Sequence, residues 1–257
     1  MPRTRIKPID HEERLTIVDH LDELRSRLIL CAIAFGTVFA LTTWQNHRIL
    51  EIVNRPLPDN LPEPITFGIT EPFTTTLTNA AYAAILISLP FLLYQVYAFI
   101  LPAFSPKERR VATPLLMMVP VLFTAGVVFC YFVVLPPATD FLLAFNSSEF
   151  NTQVRARDYY SFVTLTMAAM GMGFQVPVAI LAAVKLGITS PEKLRKNRRY
   201  AVLVIAIVAA FLPTIDPVTL LLEMVPLLLL YEFSILLAQW VGGHREEPVT
   251  DAEAGAS

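Results

Sequence analysis

Apolar residues gather along this chain in six long runs, each bounded by charge, proline or both: Leu28 to Trp44, Leu77 to Leu101, Val111 to Leu135, Tyr159 to Val184, Tyr200 to Leu212 and Val218 to Val241. A hydrocarbon core about 30 Å thick takes roughly 20 apolar residues of helix at about 1.5 Å each. The pattern therefore predicts an all-α integral membrane protein with six transmembrane helices. The fifth run has 13 residues, and a helix of that length reaches only about 20 Å, which implies a locally thinned bilayer. Its ends are still defined, by Lys193, Arg195, Lys196, Arg198 and Arg199 before it and by the Pro213-Thr-Ile-Asp216-Pro217 turn after it. Ahead of the first run, Val18, Leu21, Leu24 and Leu28 recur at helical spacing. They mark an amphipathic helix that enters the membrane, with Thr16 and Asp19 matching a capping box at its start.

Proline separates the runs and also interrupts them. The segment 45–76 carries Pro56, Pro58, Pro62, Pro64 and Pro72, which disfavour helix and central strand alike, so it reads as an ordered cap or a loose loop. Pro90, Pro114, Pro120, Pro177 and Pro226 fall inside runs. Membrane helices tolerate this where neighbours satisfy the freed carbonyls, and the expected result is bent helices lining a concave bundle.

Composition agrees with that reading: 54% of the 257 residues are hydrophobic and 16% charged, against about 25% charged in a soluble globular domain. A net charge of −2 gives no global sign of a nucleic-acid binder, which needs a clustered basic surface. Position matters more than the total. Sixteen of the 20 Lys and Arg residues fall on the side shared by the N-terminal segment, the loop around Lys107, the stretch Lys185 to Arg199 and the tail; the other side has Arg48, Arg55, Arg155 and Arg157. Cytoplasmic loops carry the excess of positive charge, so both termini are expected inside, as an even number of spans requires. The expected organisation is 1–27 a cytoplasmic amphipathic segment, 28–241 a six-span membrane domain, and 242–257 a disordered acidic cytoplasmic tail. No small-residue cleavage pattern follows the first run, so it is expected to remain as an anchor. Cys31 and Cys130 sit in apolar runs and read as small buried hydrophobes.

Two cytoplasmic carboxylates are candidates for chemistry. Glu23 lies four residues before Arg27, so a surface helix pair worth a few tenths of a kcal/mol is its plain reading; docking a cationic segment is the other. Glu108 follows Ser105 and Pro106 as the third member of a capping box. A capping carboxylate keeps lone pairs free for a guanidinium, so its two roles are compatible. Within the runs, Gln175, Glu223 and Glu232 are functional candidates because intramembrane polar groups are costly. Nine residues at about 100° each put Glu223 and Glu232 on opposite faces of one helix. Each is expected to be protonated, or paired with a hydroxyl or amide across an interface, while Asp216 in the turn reads as solvated or capping. No HExxH, GxSxG or Walker A string occurs and all four histidines lie outside the runs, so neither an enzyme, a metal centre nor a cofactor is expected.

The strings VDHLDELRSRL, LYQVYAFILPAFSPKERR, FQVPVAI, GITSPEKLRKNRRY and PTIDP, in this order over residues 15 to 240, resemble the TatC family, the multi-span subunit of the twin-arginine protein translocase. The resemblance implies a glove-like bundle with short fifth and sixth spans. It implies a receptor for signal peptides with paired arginines, one that recruits single-span TatA/TatB-type subunits, sits among membrane lipids and other copies of itself, and exports folded proteins on the proton-motive force. Carried onto matching positions, the arginine pair would meet Glu23 and Glu108, with Arg25, Gln95, Phe99 and Arg110 in the same segments. Many members have a glutamate where this chain has Gln175; Glu232 matches a polar position, and Glu223 has no counterpart. Two arginines would contribute about 2 to 6 kcal/mol, short of the roughly 8 kcal/mol of micromolar affinity, so the apolar part of a signal peptide must bind as well. A proton-coupled secondary transporter using Glu223, Glu232 and Gln175 is the alternative, although no internal repeat supports it.

Overall fold

The structure is a computed structural model and describes residues 11–58, 64–100, 106–149, 152–210 and 216–242, with the backbone alone at 11–19, 106–108, 111–112, 208 and 241–242. Ten helices follow in order: α1 His11–Trp44, α2 Asn46–Asn54, α3 Glu71–Ile100, α4 Pro106–Phe129, α5 Leu135–Ala144, α6 Ala156–Gly173, α7 Val176–Lys185, α8 Pro191–Lys196, α9 Arg198–Ala210 and α10 Pro217–Gly242. A π-helical turn, Cys130–Val134, joins α4 to α5. Among the described residues no strand forms beyond a single parallel bridge between Ile65 and Arg155. The expected acidic tail, the Ser105 cap and the Thr16–Asp19 box lie outside the described residues or side chains.

Five stretches are long and apolar enough to cross a membrane: His20–Trp44, Glu71–Ile100, Thr113–Ala144, Ala156–Lys185 and Pro217–Trp240. They match five of the six runs. The remaining run is α9, whose 13 residues make about 20 Å of helix. The sixth run, in contrast, is not short. Asp216 and Pro217 start α10 cleanly, Pro226 bends into it without ending it, and the helix continues for 26 residues. The amphipathic segment and the first run also form one unbroken helix, α1, of 34 residues.

The third and fourth runs each contain a break with a local cause. Pro136 and Pro137 remove two adjacent N–H donors, and the chain widens into the π turn just before them. Pro177 removes another donor, and α6 stops at Gly173 before α7 begins at Val176. α7 ends in a Schellman motif, with Gly187 at φ 74°, its N–H on the Val184 carbonyl and the Ile188 N–H on the Ala183 carbonyl. Ser190 then caps α8 by accepting the Lys193 N–H, with Pro191 in the first helical position.

In packing, α1 lies along α3, α3 along α4 and α6, α4 along α6 and α7, and α10 along α7 and α9. The buried centre includes Val119, Phe123, Val134, Leu135, Val163, Met170 and Ile235. Small residues let α4 and α6 approach backbone to backbone: a Cβ placed on Gly126 would meet the Gly171 Cα and the Met170 carbonyl oxygen at 2.9 Å each. Close approach through glycine is how helices associate where lipid removes the hydrophobic drive. Gly126→Ala is therefore expected to cost about 1–3 kcal/mol through overpacking against backbone that cannot step aside. Gly36→Ala, with nothing within 4 Å of the added carbon, should leave thermal unfolding in detergent unchanged; equal midpoints for the two variants would refute the close-approach argument.

Candidate functional site

The first polar cluster joins α1 to the last turns of α3. Arg27 donates from Nε and Nη2 to Glu23 Oε1 at 2.9 and 2.6 Å, and from Nη1 to Gln95 Oε1 at 2.7 Å. Among the described residues Glu23 Oε2 has only the His20 imidazole, 3.8 Å away, and His20 stacks on Phe99 at 4.3 Å between ring centroids. The i, i+4 pair foreseen for Glu23 thus exists, but it is tied across the helix interface by the buried Gln95. Its carboxylate remains about one-third exposed. Arg25, one of the expected site residues, is exposed and takes no part in the cluster; Arg27 and His20 supply the contacts instead. The periodicity explains this, because 23, 27 and 20 share a helix face that 25 does not. Arg110 is exposed on the first turns of α4. Glu108 is the third residue of α4, and its side chain lies outside the described residues. The chain position still places it near this end of the bundle, since five residues connect α3 to α4.

The intramembrane candidates occupy three unlike environments. Gln175 sits in the break between α6 and α7 and donates from Nε2 to the Val119 carbonyl at 3.3 Å and the Gly171 carbonyl at 3.4 Å. It links α4 to α6 at a point where backbone acceptors need a donor. Glu232 pairs with Arg198 at 2.6 Å, in place of the hydroxyl or amide partner expected from the sequence. The reason is the shortness of α9: its first residue reaches only part-way down α10, where Glu232 is. Next to it the Tyr231 hydroxyl donates to the Leu194 carbonyl of α8 at 3.0 Å. Glu223 is fully buried with no hydrogen-bond partner for either carboxylate oxygen. Glu223 and Glu232 do face opposite sides of α10. Asp216 is a cap, its Oδ1 accepting the Thr219 N–H at 2.7 Å.

At the opposite end from Glu23, the structure has polar links that the sequence did not single out. Glu71 Oε2 accepts the N–H groups of Phe67 and Gly68 at 2.8 and 3.0 Å, and its Oε1 accepts from Arg155 Nε at 2.6 Å. The Glu71 carboxylate raises the pKa of the Arg155 guanidinium above its ordinary value, chiefly through that hydrogen bond. Arg155 also lies 5.7 Å over the Phe67 ring. The Ile65 bridge completes the link, with Ile65 N–H on Val154 and Ala156 N–H on Ile65. Nearby, Tyr131, Tyr159 and Thr139 donate hydroxyl hydrogens to the carbonyls of Ile52, Val53 and Pro56 at 2.7, 2.8 and 2.7 Å. Helix ends leave carbonyls without intrahelical donors, and these hydroxyls close the end of α2. The described parts of the 45–76 segment, 45–58 and 64–76, thus form an ordered cap that begins with a helix. Its prolines all lie after that helix, which is why a count over the whole segment misses α2.

Comparison with known proteins places this geometry. Residues 19–226 match the family described as Sec-independent protein translocase protein (TatC). The chain belongs to the TatC family. The TatC of Escherichia coli K12 is 36% identical over 244 residues, covering 92% of this chain and 94% of that protein. The TatC of Aquifex aeolicus is 33% identical over 237 residues, covering 91% and 98%. A crystal structure of the twin arginine translocase receptor TatC superposes with a TM-score of 0.73 at 34% identity, over 87% of this chain and 99% of that one. This TatC-family chain is a component of the Sec-independent protein translocase and a multi-pass protein of the cell membrane.

Two outcomes test the polar links. Glu71→Ala removes the acceptor of three donors and should lower the thermal unfolding midpoint, with Arg155→Lys, which keeps the charge but not Nε, falling between it and the parent. Gln175→Glu replaces the amide donor with oxygens facing two carbonyls, so a loss of about 1–3 kcal/mol is expected from denaturation in detergent at neutral pH. A variant as stable as the parent would show that the amide donor is dispensable.

Proposed function

We propose that this chain is the receptor and core subunit of a twin-arginine translocase, binding signal peptides with paired arginines through Glu23 and Glu108 and recruiting single-span TatA/TatB-type subunits to export folded proteins on the proton-motive force. The observation that carries this reading is the Glu23 carboxylate. One of its oxygens already holds a guanidinium, that of Arg27, and the other, among the described residues, faces the His20 imidazole at 3.8 Å. A pocket that fits its own arginine in this way has the donor-matching geometry a second arginine needs. Gln95 and Phe99 wall the same cluster, and the exposed Arg25 and Arg110 belong to the same matching segments. Lys107, Arg109 and Arg110 repel cations, so recognition is local and carboxylate-directed rather than steered by net charge.

The arrangement in the membrane follows from the same reading. α9 counts as the fifth of six spans, crossing where the bilayer is thinned, and both termini are cytoplasmic, as the Lys and Arg distribution supports. Segment 1–27 lies on the cytoplasmic side, 28–241 forms a concave glove-like membrane domain that accepts the apolar part of the signal peptide, and the acidic tail 242–257 is cytoplasmic. The small-solute transporter is less well supported. Its three polar residues share no site: Glu232 is held by Arg198, Gln175 by backbone carbonyls, and Glu223 faces away from Glu232.

Photocrosslinking from position 109, next to Glu108 and leaving it in place, with the chain in membrane vesicles, should capture a signal peptide bearing Arg-Arg and lose it when the pair is Lys-Lys. Equal capture of both would sink the guanidinium-recognition argument. Glu108→Gln should abolish export of a folded twin-arginine passenger while the protein still accumulates in the membrane. Glu23→Gln should weaken peptide binding by about 10- to 100-fold, the equivalent of one charge-assisted hydrogen bond of about 1.5–3 kcal/mol.

A further inference from the structure

Glu223 is unexplained by any contact so far described. It is 0% exposed, and both its carboxylate oxygens are buried without a hydrogen-bond partner. Thr219, one turn earlier and also 0% exposed, has an unpartnered Oγ1. Asp216 at the start of the helix uses Oδ1 to cap α10, and its Oδ2 is buried and unpartnered too. Positions 216, 219 and 223 fall within about 60° of one another around a helix, and helical side chains lean toward the N-terminus, which tilts Glu223 toward Thr219 and Thr219 toward Asp216. Asp216 and Glu223 interact electrostatically, and Cys130 on the π-helical turn also lies within range of Glu223. These are the titratable groups acting on Glu223 among the described residues; α5, α7, α8 and α9, which also pack on α10, contribute none.

The balance of donors and acceptors indicates the ligand. Four orphan oxygens share one hydrogen, that of the Thr219 hydroxyl, so the cluster lacks hydrogen rather than oxygen. A second polar ligand that brought more acceptors would worsen the deficit. Three side chains are too few to replace the hydration shell of a metal cation, and no group of three or more His, Cys, Asp or Glu suited to a metal occurs among the described residues. A single proton corrects the deficit: it removes the negative charge of a carboxylate buried without a donor and gives Glu223 a hydrogen to offer Thr219.

We propose that Asp216, Thr219 and Glu223 form an intramembrane proton-uptake site, loaded from the membrane face at which α10 begins. A hydronium ion at that face loses a proton and becomes water, an O–H bond forms on a Glu223 carboxylate oxygen, and the side chain passes from a charge of −1 to neutral. Asp216 marks the entrance, and Thr219 is the hydroxyl between entrance and acceptor. The inference is independent of how signal peptides are bound.

The test is infrared difference spectroscopy of the full chain in phosphatidylethanolamine–phosphatidylglycerol liposomes, stepping pH in sodium and in potassium buffer. The expected result is a protonated-carboxyl C=O band that grows as pH falls and is the same in both salts. Glu223→Gln should lose it, and Thr219→Val, which keeps Glu223 but removes its hydroxyl neighbour, should shift it. Should the glutamine variant fail to fold, the shift in the valine variant decides the matter. Crosslinking of an Arg-Arg peptide from position 109 should be unchanged in both variants, which separates this site from signal-peptide binding. A band that survives Glu223→Gln, or that responds to sodium at fixed pH, overturns the proposal.

Discussion

Lipid supplies no hydrogen bonds, so any interruption of a spanning helix has to be closed by the protein itself. This constraint organises the bundle. Pro136 and Pro137 open the third run, and Thr139 Oγ1 sits within reach of the carbonyls of Leu135, Pro136 and Pro56. Pro177 opens the fourth, and the Gln175 amide takes up carbonyls on both α4 and α6. In each case the group that closes the break also fastens one helix to another. Interruptions thereby become the joints of the fold, and the glycine contact between α4 and α6 brings the helices close enough for short side chains to serve.

The ends of the bundle are fastened by different chemistry. At the end containing α2, hydroxyl groups and the Glu71–Arg155 pair satisfy exposed backbone ends and tie three segments distant in sequence. At the other end, ion pairs dominate: Glu23 with Arg27, and Glu232 with Arg198. Pairs as exposed as these contribute little to stability on their own. They can therefore be remade without unfolding the protein, whereas the buried links cannot.

Much of this was legible in the sequence, because a membrane imposes length and polarity on every segment that crosses it. The six runs, the brevity of α9, the opposite faces of Glu223 and Glu232 and the i, i+4 pairing of Glu23 all follow from spacing. What spacing does not reveal is which residues meet across elements. Gln95 reaching Arg27, Arg198 reaching Glu232 and Arg155 reaching Glu71 join positions 34 to 84 apart, and no local period encodes such pairs. Arg25 was favoured over Arg27 because a matching string carries both, while the helix face that turns toward α3 is a tertiary property. The hydrophobic run Val218 to Val241 already spans nearly all of α10, Pro226 included; the short sixth span was implied by the resemblance alone, and the 26-residue helix corrects it.

α1 touches little besides α3, and two polar pins hold it there: the Thr42 hydroxyl on the Ala80 carbonyl at 2.9 Å, and the Arg27 guanidinium on Gln95. The pins are 15 residues apart, an arm of about 22 Å at about 1.5 Å per residue. Such a helix is a lever with a fixed buried pivot and a releasable part-buried catch. An incoming guanidinium that drew Arg27 off both Glu23 and Gln95 would open the catch alone. A swing of about 10° about Thr42 would then move Glu23, 19 residues and about 28 Å away, by about 5 Å, turning the exchange of one cation for another into mechanical displacement at the surface of the bundle.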